Sequence, residues 1–244
     1  LRHDDPFALS AAAVPVRGVV WLFDLDDTLH DAQAASMAQL HVSFGEYIQQ
    51  HLQLTREQSD ALRRRYWQRY GATLLGLVRH HGVDARHFLH HTHLLPGLEE
   101  RVHGHAADFA ALARLQGRKV VLTNAPAAYA ARVLGALGIE RHFDQVLSIE
   151  EMHMFGRLRP KPDARMLRWV AARLGVPPTR CVLVEDTLAH QKAARSIGMG
   201  TVWMQRWLAP AAPERRRPAG RPSYVDRRVG SLLRLVRAPA RGRP

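Results

Sequence analysis

The 244-residue chain has one cysteine, three lysines and no apolar run long enough for a membrane span, and each scarcity closes a class of explanation. With Cys181 alone, no internal disulfide and no thiolate metal cage can form. Its neighbours Val182, Leu183 and Val184 are apolar, so the thiol is expected to lie buried in a strand rather than to react. The longest early apolar run, Val19–Phe23, falls far short of the roughly 20 residues a spanning helix needs. Asp4 and Asp5 spoil the basic start of a secretory signal, and the chain is read as cytoplasmic.

What is present is enough to fold. The chain is 46% hydrophobic and 23% charged, close to the globular average, which argues against disorder and against fibrous architectures. The formal charge of +13 invites a nucleic-acid partner, because neutralising phosphates with Lys and Arg dominates non-specific affinity. Its distribution argues otherwise. From Arg206 onward eleven arginines face only Glu214 and Asp226, whereas residues 1–205 hold 24 basic and 20 acidic groups. The excess is therefore mainly terminal, and such a run is usually a solvated face or tail.

Three apolar runs, Gly18–Phe23, Lys119–Thr123 and Arg180–Val184, each lead into a polar turn and then a helical pattern. Continuous apolar strands alternating with helices predict a parallel sheet covered on both faces. Further strands are expected at Gln145–Ile149 and Gly200–Met204, with helices near 126–137, 163–174 and 189–197. Residues 31–115 break the alternation. Helical patterns over Ala32–Gln50, Arg56–Arg69, Thr73–His81 and Ala85–His91, with no strand between them, read as a helical insertion after the first strand. Thr55 and Gln58 have capping-box spacing. Arg206–Pro222 reads as a Pro/Ala/Arg-rich loop. Beyond it a last strand at Ser223–Val225 and a helix within Val229–Val236 are expected. The organisation is then an extension (1–17), an α/β core (18–30 and 116–236), the insertion (31–115) and a disordered tail (237–244).

The densest chemical signal is Asp24-Leu25-Asp26-Asp27-Thr28 directly after the first strand. In extended chain Asp24 and Asp26 share a face at the carboxyl end of the strand, where open α/β sheets bind ligands. A divalent cation would resolve the repulsion between such carboxylates, leaving one to attack phosphorus and the other to handle protons. The bland alternative is an acidic turn capping the next helix. Thr123-Asn124 ends the second strand, offering a hydroxyl and successive backbone N–H groups to a phosphate, or else a helix cap. Lys161, held between Pro160 and Pro162, is either a counter-charge for phosphate or a solvated loop cation. Glu185 and Asp186 end the third strand, so the sheet would gather them beside Asp24.

In order and spacing these segments resemble the four motifs of the haloacid dehalogenase superfamily: the Asp24–Thr28 segment, Thr123, Lys161, and the Glu185–Asp186 pair. The resemblance covers about residues 18–236. It implies a Rossmann-like three-layer α/β core with a central parallel sheet and a helical C1-type cap. It further implies that Asp24 is the nucleophile and Asp26 the general acid/base, with Thr123, Asn124 and Lys161 binding the phosphate. Asp24, the backbone carbonyl of Asp26 and Asp186 would hold Mg²⁺, with Glu185 farther out. Dehalogenases of the superfamily typically lack the second acid, so Asp26 favours phosphate esters. A further acid common after the fourth motif is missing from Thr187–Gln191, which bears on metal affinity.

Arg65–Asp84 resembles the cap signature of the pyrimidine 5′-nucleotidase subgroup, which implies a nucleoside monophosphate such as UMP or CMP as substrate. Tyr66, Trp67 and Tyr70 are candidates to stack a base, although their spacing also fits an ordinary helix core. Two alternatives remain: a phosphatase of sugar phosphates, phosphoglycolate or another small ester, and a nucleic-acid or phosphate-sensing module using the Arg-rich terminus. Eight histidines lie between His80 and His105. His87 and His91 have the i,i+4 spacing of metal ligands but no evident third partner, and the group reads as solvated. His30, by position alone, is a candidate to support the carboxylates.

Overall fold

The computed structural model describes residues 18–207 and 220–236. The expected extension 1–17, most of the Arg206–Pro222 loop and the tail 237–244 lie outside the described residues. Six parallel strands form one sheet in the order β3-β2-β1-β6-β7-β8. They are β1 (Val20–Phe23), β2 (Arg118–Leu122), β3 (Gln145–Leu147), β6 (Cys181–Glu185), β7 (Gly200–Met204) and β8 (Arg227–Val229). A small antiparallel hairpin, β4 (His153–Met154) with β5 (Arg157–Leu158), stands apart from it.

The strands are apolar throughout because both faces of the sheet are covered. Alternation divides them. Val20, Leu22, Val120, Leu122, Cys181 and Leu183 point to one apolar cluster, completed by Met166, Leu167, Val170 and Ala171 of α8 (Ala164–Arg173) and by Ala194 of α9 (Leu188–Ser196). Phe23, Val121, Val184, Val202 and Met204 point to the other. There they meet α7 (Ala127–Leu137), α6 (Ala106–Arg114), α5 (Leu98–Arg101) and the short α10 (Leu233–Val236). This is the expected three-layer α/β core, and Cys181 is fully buried in it as expected.

Between β1 and β2 the chain is helical: α1 (Ala38–Leu52), α2 (Arg56–Tyr70), α3 (Thr73–His81) and α4 (Ala85–Thr92) precede α5 and α6. Helices α1 to α4 pack around a further apolar cluster, built from Tyr47, Ile48, Leu62, Tyr66, Leu74, Leu77, Phe88 and Leu89 and joined by Ile149 from beyond β3. Side chains of α5 and α6, including Leu98, Ala111 and Leu112, instead join the main core. The capping box of α2 forms as expected, with Thr55 and Gln58 exchanging hydrogen bonds. No helix among the described residues is long and apolar enough to cross a membrane.

Two expectations shift. The single helix over Ala32–Gln50 begins as a π-helical turn, Gln33–Met37, and becomes α-helical only at Ala38. The last strand is at Arg227–Val229, not Ser223–Val225: Val225 N–H donates to Pro222 O at 2.9 Å, closing a turn, and pairing with β7 starts only at Arg227 opposite Val202. The helix after it is confined to Leu233–Val236.

Candidate active site

Because β1 lies between β2 and β6 and runs parallel to both, the carboxyl ends of the three strands adjoin. Asp24 follows β1, Thr123 follows β2, and Glu185 ends β6 with Asp186 directly after it. The backbone locks this in place, with Asp24 N–H donating to Val184 O at 3.0 Å and Thr123 N–H to Leu147 O at 3.0 Å.

Lys161 enters from the loop between β5 and α8 and is only 1% exposed. Its Nζ donates to Asp24 Oδ1 at 2.6 Å and to Glu185 Oε2 at 2.7 Å. Asn124 seats the loop: its Oδ1 accepts from Lys161 N–H at 3.0 Å and its Nδ2 donates to Lys161 O at 2.9 Å. Both ends of the Asn124 amide are thus committed to the lysine backbone. Burial works against the Lys161 ammonium, but the two carboxylates outweigh it and hold the amine protonated. The Thr123 hydroxyl is buried and accepts from Ala125 N–H at 3.0 Å, which leaves its hydrogen free to donate.

The acidic groups are pushed in opposite directions. Burial, reinforced by the charge of Glu185, raises Asp24 to about 7. Burial and the same neighbour raise Asp186. For Glu185 burial acts upward too, yet Lys161 and His190 hold its carboxyl below the usual range. Oxygens of Asp24, Glu185 and Asp186 lie within 4.8 Å of one another, and one ammonium cannot balance three carboxylates. Hard oxygen donors gathered in this way, with burial and the Glu185 charge opposing ionisation of two of them, fit a divalent cation such as Mg²⁺. Asp186 is steadied from beside by Thr187 Oγ1, which donates to its Oδ1 at 3.2 Å.

Asp26 has different neighbours. Its Oδ1 accepts from Tyr129 O–H at 2.8 Å and lies 2.9 Å from His30 Nε2. Tyr129 belongs to α7, and its hydroxyl also lies 2.9 Å from Ser36 Oγ in the π-helical turn. Burial, with the nearby Asp26 charge, raises the Tyr129 phenol and keeps it a donor. Asp27, third of the run, does the bland job: its carboxylate accepts from Ala32 N–H, Gln33 N–H and Gln33 Nε2, anchoring the turn into the helices.

His30 is fully buried beside Asp26, so its position after the first motif was informative. Tyr129, Ser36 and His190, whose Nδ1 approaches Glu185 Oε2 at 2.9 Å without hydrogen-bond alignment, were not legible in the sequence. Tyr129 stands 103 residues from Asp26, and only the folding of α7 against β1 joins them. The Oγ1 of Thr28, the last residue of the first motif, is buried without a partner among the described residues.

As expected, the histidines of the insertion are exposed, save the half-buried His93, and three of them pair with tyrosines. His87 Nδ1 is 2.8 Å from Tyr47 O–H, His81 Nε2 2.7 Å from Tyr66 O–H, and His80 Nε2 2.6 Å from Tyr70 O–H. His93 sits half-buried with its ring edge toward Tyr129, and burial lowers it to about 4. Among the described residues no three histidines form a metal group, and the one such group is the carboxylate set. Tyr66 is buried in the insertion's own core, so it stacks no ligand, whereas Tyr70 lines a cleft of about 670 Å³ with Arg79, Arg157 and Pro162.

The model of the haloacid dehalogenase-like hydrolase family matches residues 20–198. A phosphoserine phosphatase of Thermus thermophilus is 33% identical over 138 residues, 55% of this chain and 50% of that protein. A fructose-1-phosphate phosphatase of Escherichia coli is 36% identical over 80 residues, 33% of this chain and 40% of that protein. The chain thus spans half or less of the length of these curated relatives. The crystal structure of a HAD phosphatase from Thermococcus onnurineus shares the fold at a TM-score of 0.58 and 18% identity, covering 89% of this chain and 95% of that one. With the matched segment running from β1 to the end of α9 and containing every strand-end residue described above, the chain belongs to the haloacid dehalogenase-like hydrolases.

Proposed function

We propose that the protein hydrolyses small phosphate monoesters through an aspartyl-phosphate on Asp24. The observation that carries this reading is the buried contact of Asp24 with Lys161 inside the three-carboxylate group, next to an independently held Asp26. A carboxylate fixed by an ammonium is a positioned nucleophile, and the ammonium is equally placed to neutralise the oxygens of an arriving phosphoryl group. The Thr123 hydroxyl, with its hydrogen free, donates to one of those oxygens. The Asn124 side chain serves by seating Lys161, so any contact of Asn124 with phosphate falls to its backbone N–H.

Asp24 attacks phosphorus as the ester bond breaks, and Asp26 gives its proton to the departing oxygen. Water then attacks the acyl phosphate, Asp26 takes the proton back, and Asp24 is released with inorganic phosphate. Asp24, the backbone carbonyl of Asp26 and Asp186 would hold Mg²⁺, with Glu185 behind them. Bound there, the cation supplies positive charge to the phosphoryl oxygens in the transition state. Helices α1 to α4 act as a cap over the strand ends, excluding bulk water.

The leaving group is a small alcohol. The relatives' names, a phosphoserine and a fructose-1-phosphate phosphatase, support a small ester, whereas the pyrimidine nucleotidase reading rests on Arg65–Asp84, where one of the three stacking candidates, Tyr66, is buried. The test is a panel of phosphoserine, fructose 1-phosphate, 2-phosphoglycolate, UMP and CMP with Mg²⁺, read as kcat/KM. We expect the first three to exceed the nucleotides, and the reverse order would restore the nucleotidase reading. Asp24→Asn is expected to lower kcat by more than about 10³-fold, and unchanged activity would remove Asp24 as nucleophile.

A further inference from the structure

Two donors converge on one oxygen of Asp26. Tyr129 O–H and His30 Nε2 both reach Oδ1, at 2.8 and 2.9 Å, and among the described residues no hydrogen bond reaches Oδ2. A carboxylate oxygen offers two in-plane lone pairs, so Oδ1 is saturated. Neither donor is free to wander. Tyr129 is 1% exposed; with its own proton on Asp26, its hydroxyl accepts from Ser36 Oγ at 2.9 Å, a proton for which Ala32 O at 3.3 Å is the longer alternative. The ring edge of His93, at the end of α4, closes on Tyr129 with ring centroids 5.8 Å apart. His30 is fully buried, and its Nδ1 finds no partner among the described residues, so its interaction with Asp26 is what holds its Nε2–H.

We propose that Tyr129, with His30 and through Ser36, is a positioning residue that dedicates Oδ1 of Asp26 to the protein and leaves Oδ2 as the oxygen that gives and regains the catalytic proton. The inference rests on the phosphatase reading above. In the first step the P–O bond to the leaving alcohol breaks with its electron pair going to oxygen, and the proton on Asp26 Oδ2 moves to that oxygen. In the second, water supplies OH to phosphorus and a proton to the same Oδ2, while the Asp24–phosphorus bond breaks. Without the Tyr129 hydroxyl only His30 holds Oδ1, so the Asp26 carboxyl turns more readily about its Cβ–Cγ bond, exchanging its two oxygens and mis-aiming the proton.

Ser36 lies in the π-helical turn leading into α1, and His93 follows α4, so both contacts to Tyr129 come from the helical insertion. Seating the insertion therefore completes the orientation of Asp26, and a proton donor set this way is aligned only when the helices above it are in place.

The experiment compares kcat/KM of the full chain and of Tyr129→Phe on two esters, phosphoserine and p-nitrophenyl phosphate, with thermal unfolding as the check on folding. The parameter kcat/KM reports the steps up to departure of the leaving group. An alkoxide needs the proton of Asp26 to leave, whereas p-nitrophenolate departs as a stable anion. The variant is expected to lose on the order of tenfold on phosphoserine and less than about threefold on the aryl ester, a part of the full general-acid effect. Ser36→Ala is expected to show the same selectivity at smaller size, and it carries the test should Tyr129→Phe fail to fold. Equal losses on both esters, or no loss, would overturn the positioning role while leaving the phosphatase reading intact. A wild-type chain inactive on both esters and on the rest of the panel would overturn the phosphatase reading itself, and the positioning role with it.

Discussion

The carboxyl ends of the central strands and the helical insertion both carry many polar side chains, but they treat them in opposite ways. At the strand ends charge is buried: Lys161 sits within the protein, its ammonium 2.6 Å from Asp24 and 2.7 Å from Glu185. In α1 to α4 the polar contacts are mainly Tyr–His pairs, with one Arg63–Asp60 ion pair, at the surface of an apolar cluster. Buried charges interact strongly and are costly to leave unmatched, whereas surface contacts of this kind contribute about 0.5–1.5 kcal/mol each. The first region is organised for chemistry and the second for shape.

The harshest test of that contrast is Lys161→Met. Removing the ammonium leaves two buried carboxylates facing each other, and loss of one partner from a buried pair costs about 3–5 kcal/mol. Urea unfolding of metal-free protein should show a loss of that order, and Mg²⁺ should restore part of it. A loss below about 1 kcal/mol would mean that the strand ends tolerate uncompensated charge, and the contrast would collapse.

His93 joins the two regions and supplies a second test. Its folded pKa of about 4 lies below its ordinary value of 6.5 because burial disfavours the imidazolium. The unfolded chain therefore binds the proton first as pH falls. This contribution to stability is complete above about 6.5 and is lost as pH drops toward 4, to a total of up to about 3 kcal/mol. The stability difference between wild type and His93→Gln, measured by denaturant unfolding at pH 7 and pH 5, should shrink at the lower pH. A difference independent of pH would show that the imidazole is already solvated.

How much of this could be read from the chain follows the same division. Asp24, Thr123, Lys161 and Asp186 were legible because each sits where a short apolar strand or a proline-flanked turn ends, and parallel neighbours bring such ends together. Tyr129 and His190 were not, since their spacing is only that of residues on helices, and their partners come from another part of the chain. The exposure of the histidines is legible in the chain, but their tyrosine partners are not. Spacing shows that His87 and His91 share a helix face, but not that Tyr47 of α1 would stand opposite His87. The β8 register was lost to a turn at Pro222–Val225 that the apolar pattern does not encode.

If the insertion is built for shape, its helix contacts should resist change where they are closest and accept it elsewhere, and two glycines separate these cases. Gly76 of α3 lies against the ring of Tyr66, where an added Cβ would come within 2.1 Å of Tyr66 Cγ. That ring is buried and cannot retreat, so Gly76→Ala should cost about 1–3 kcal/mol by forcing α3 off α2. Gly45, in the interior of α1, has only Gln49 Nε2 at 3.8 Å and Arg63 Nη1 at 3.9 Å near the same position, and both are ends of flexible side chains. There alanine fills open space and restricts the unfolded chain, so Gly45→Ala should stabilise by about 0.5–1 kcal/mol. Thermal unfolding of the two variants should move in opposite directions. Destabilisation by Gly45→Ala would place α1 under a packing constraint as tight as that between α2 and α3, and the insertion would then be one rigid block rather than helices joined by separable contacts.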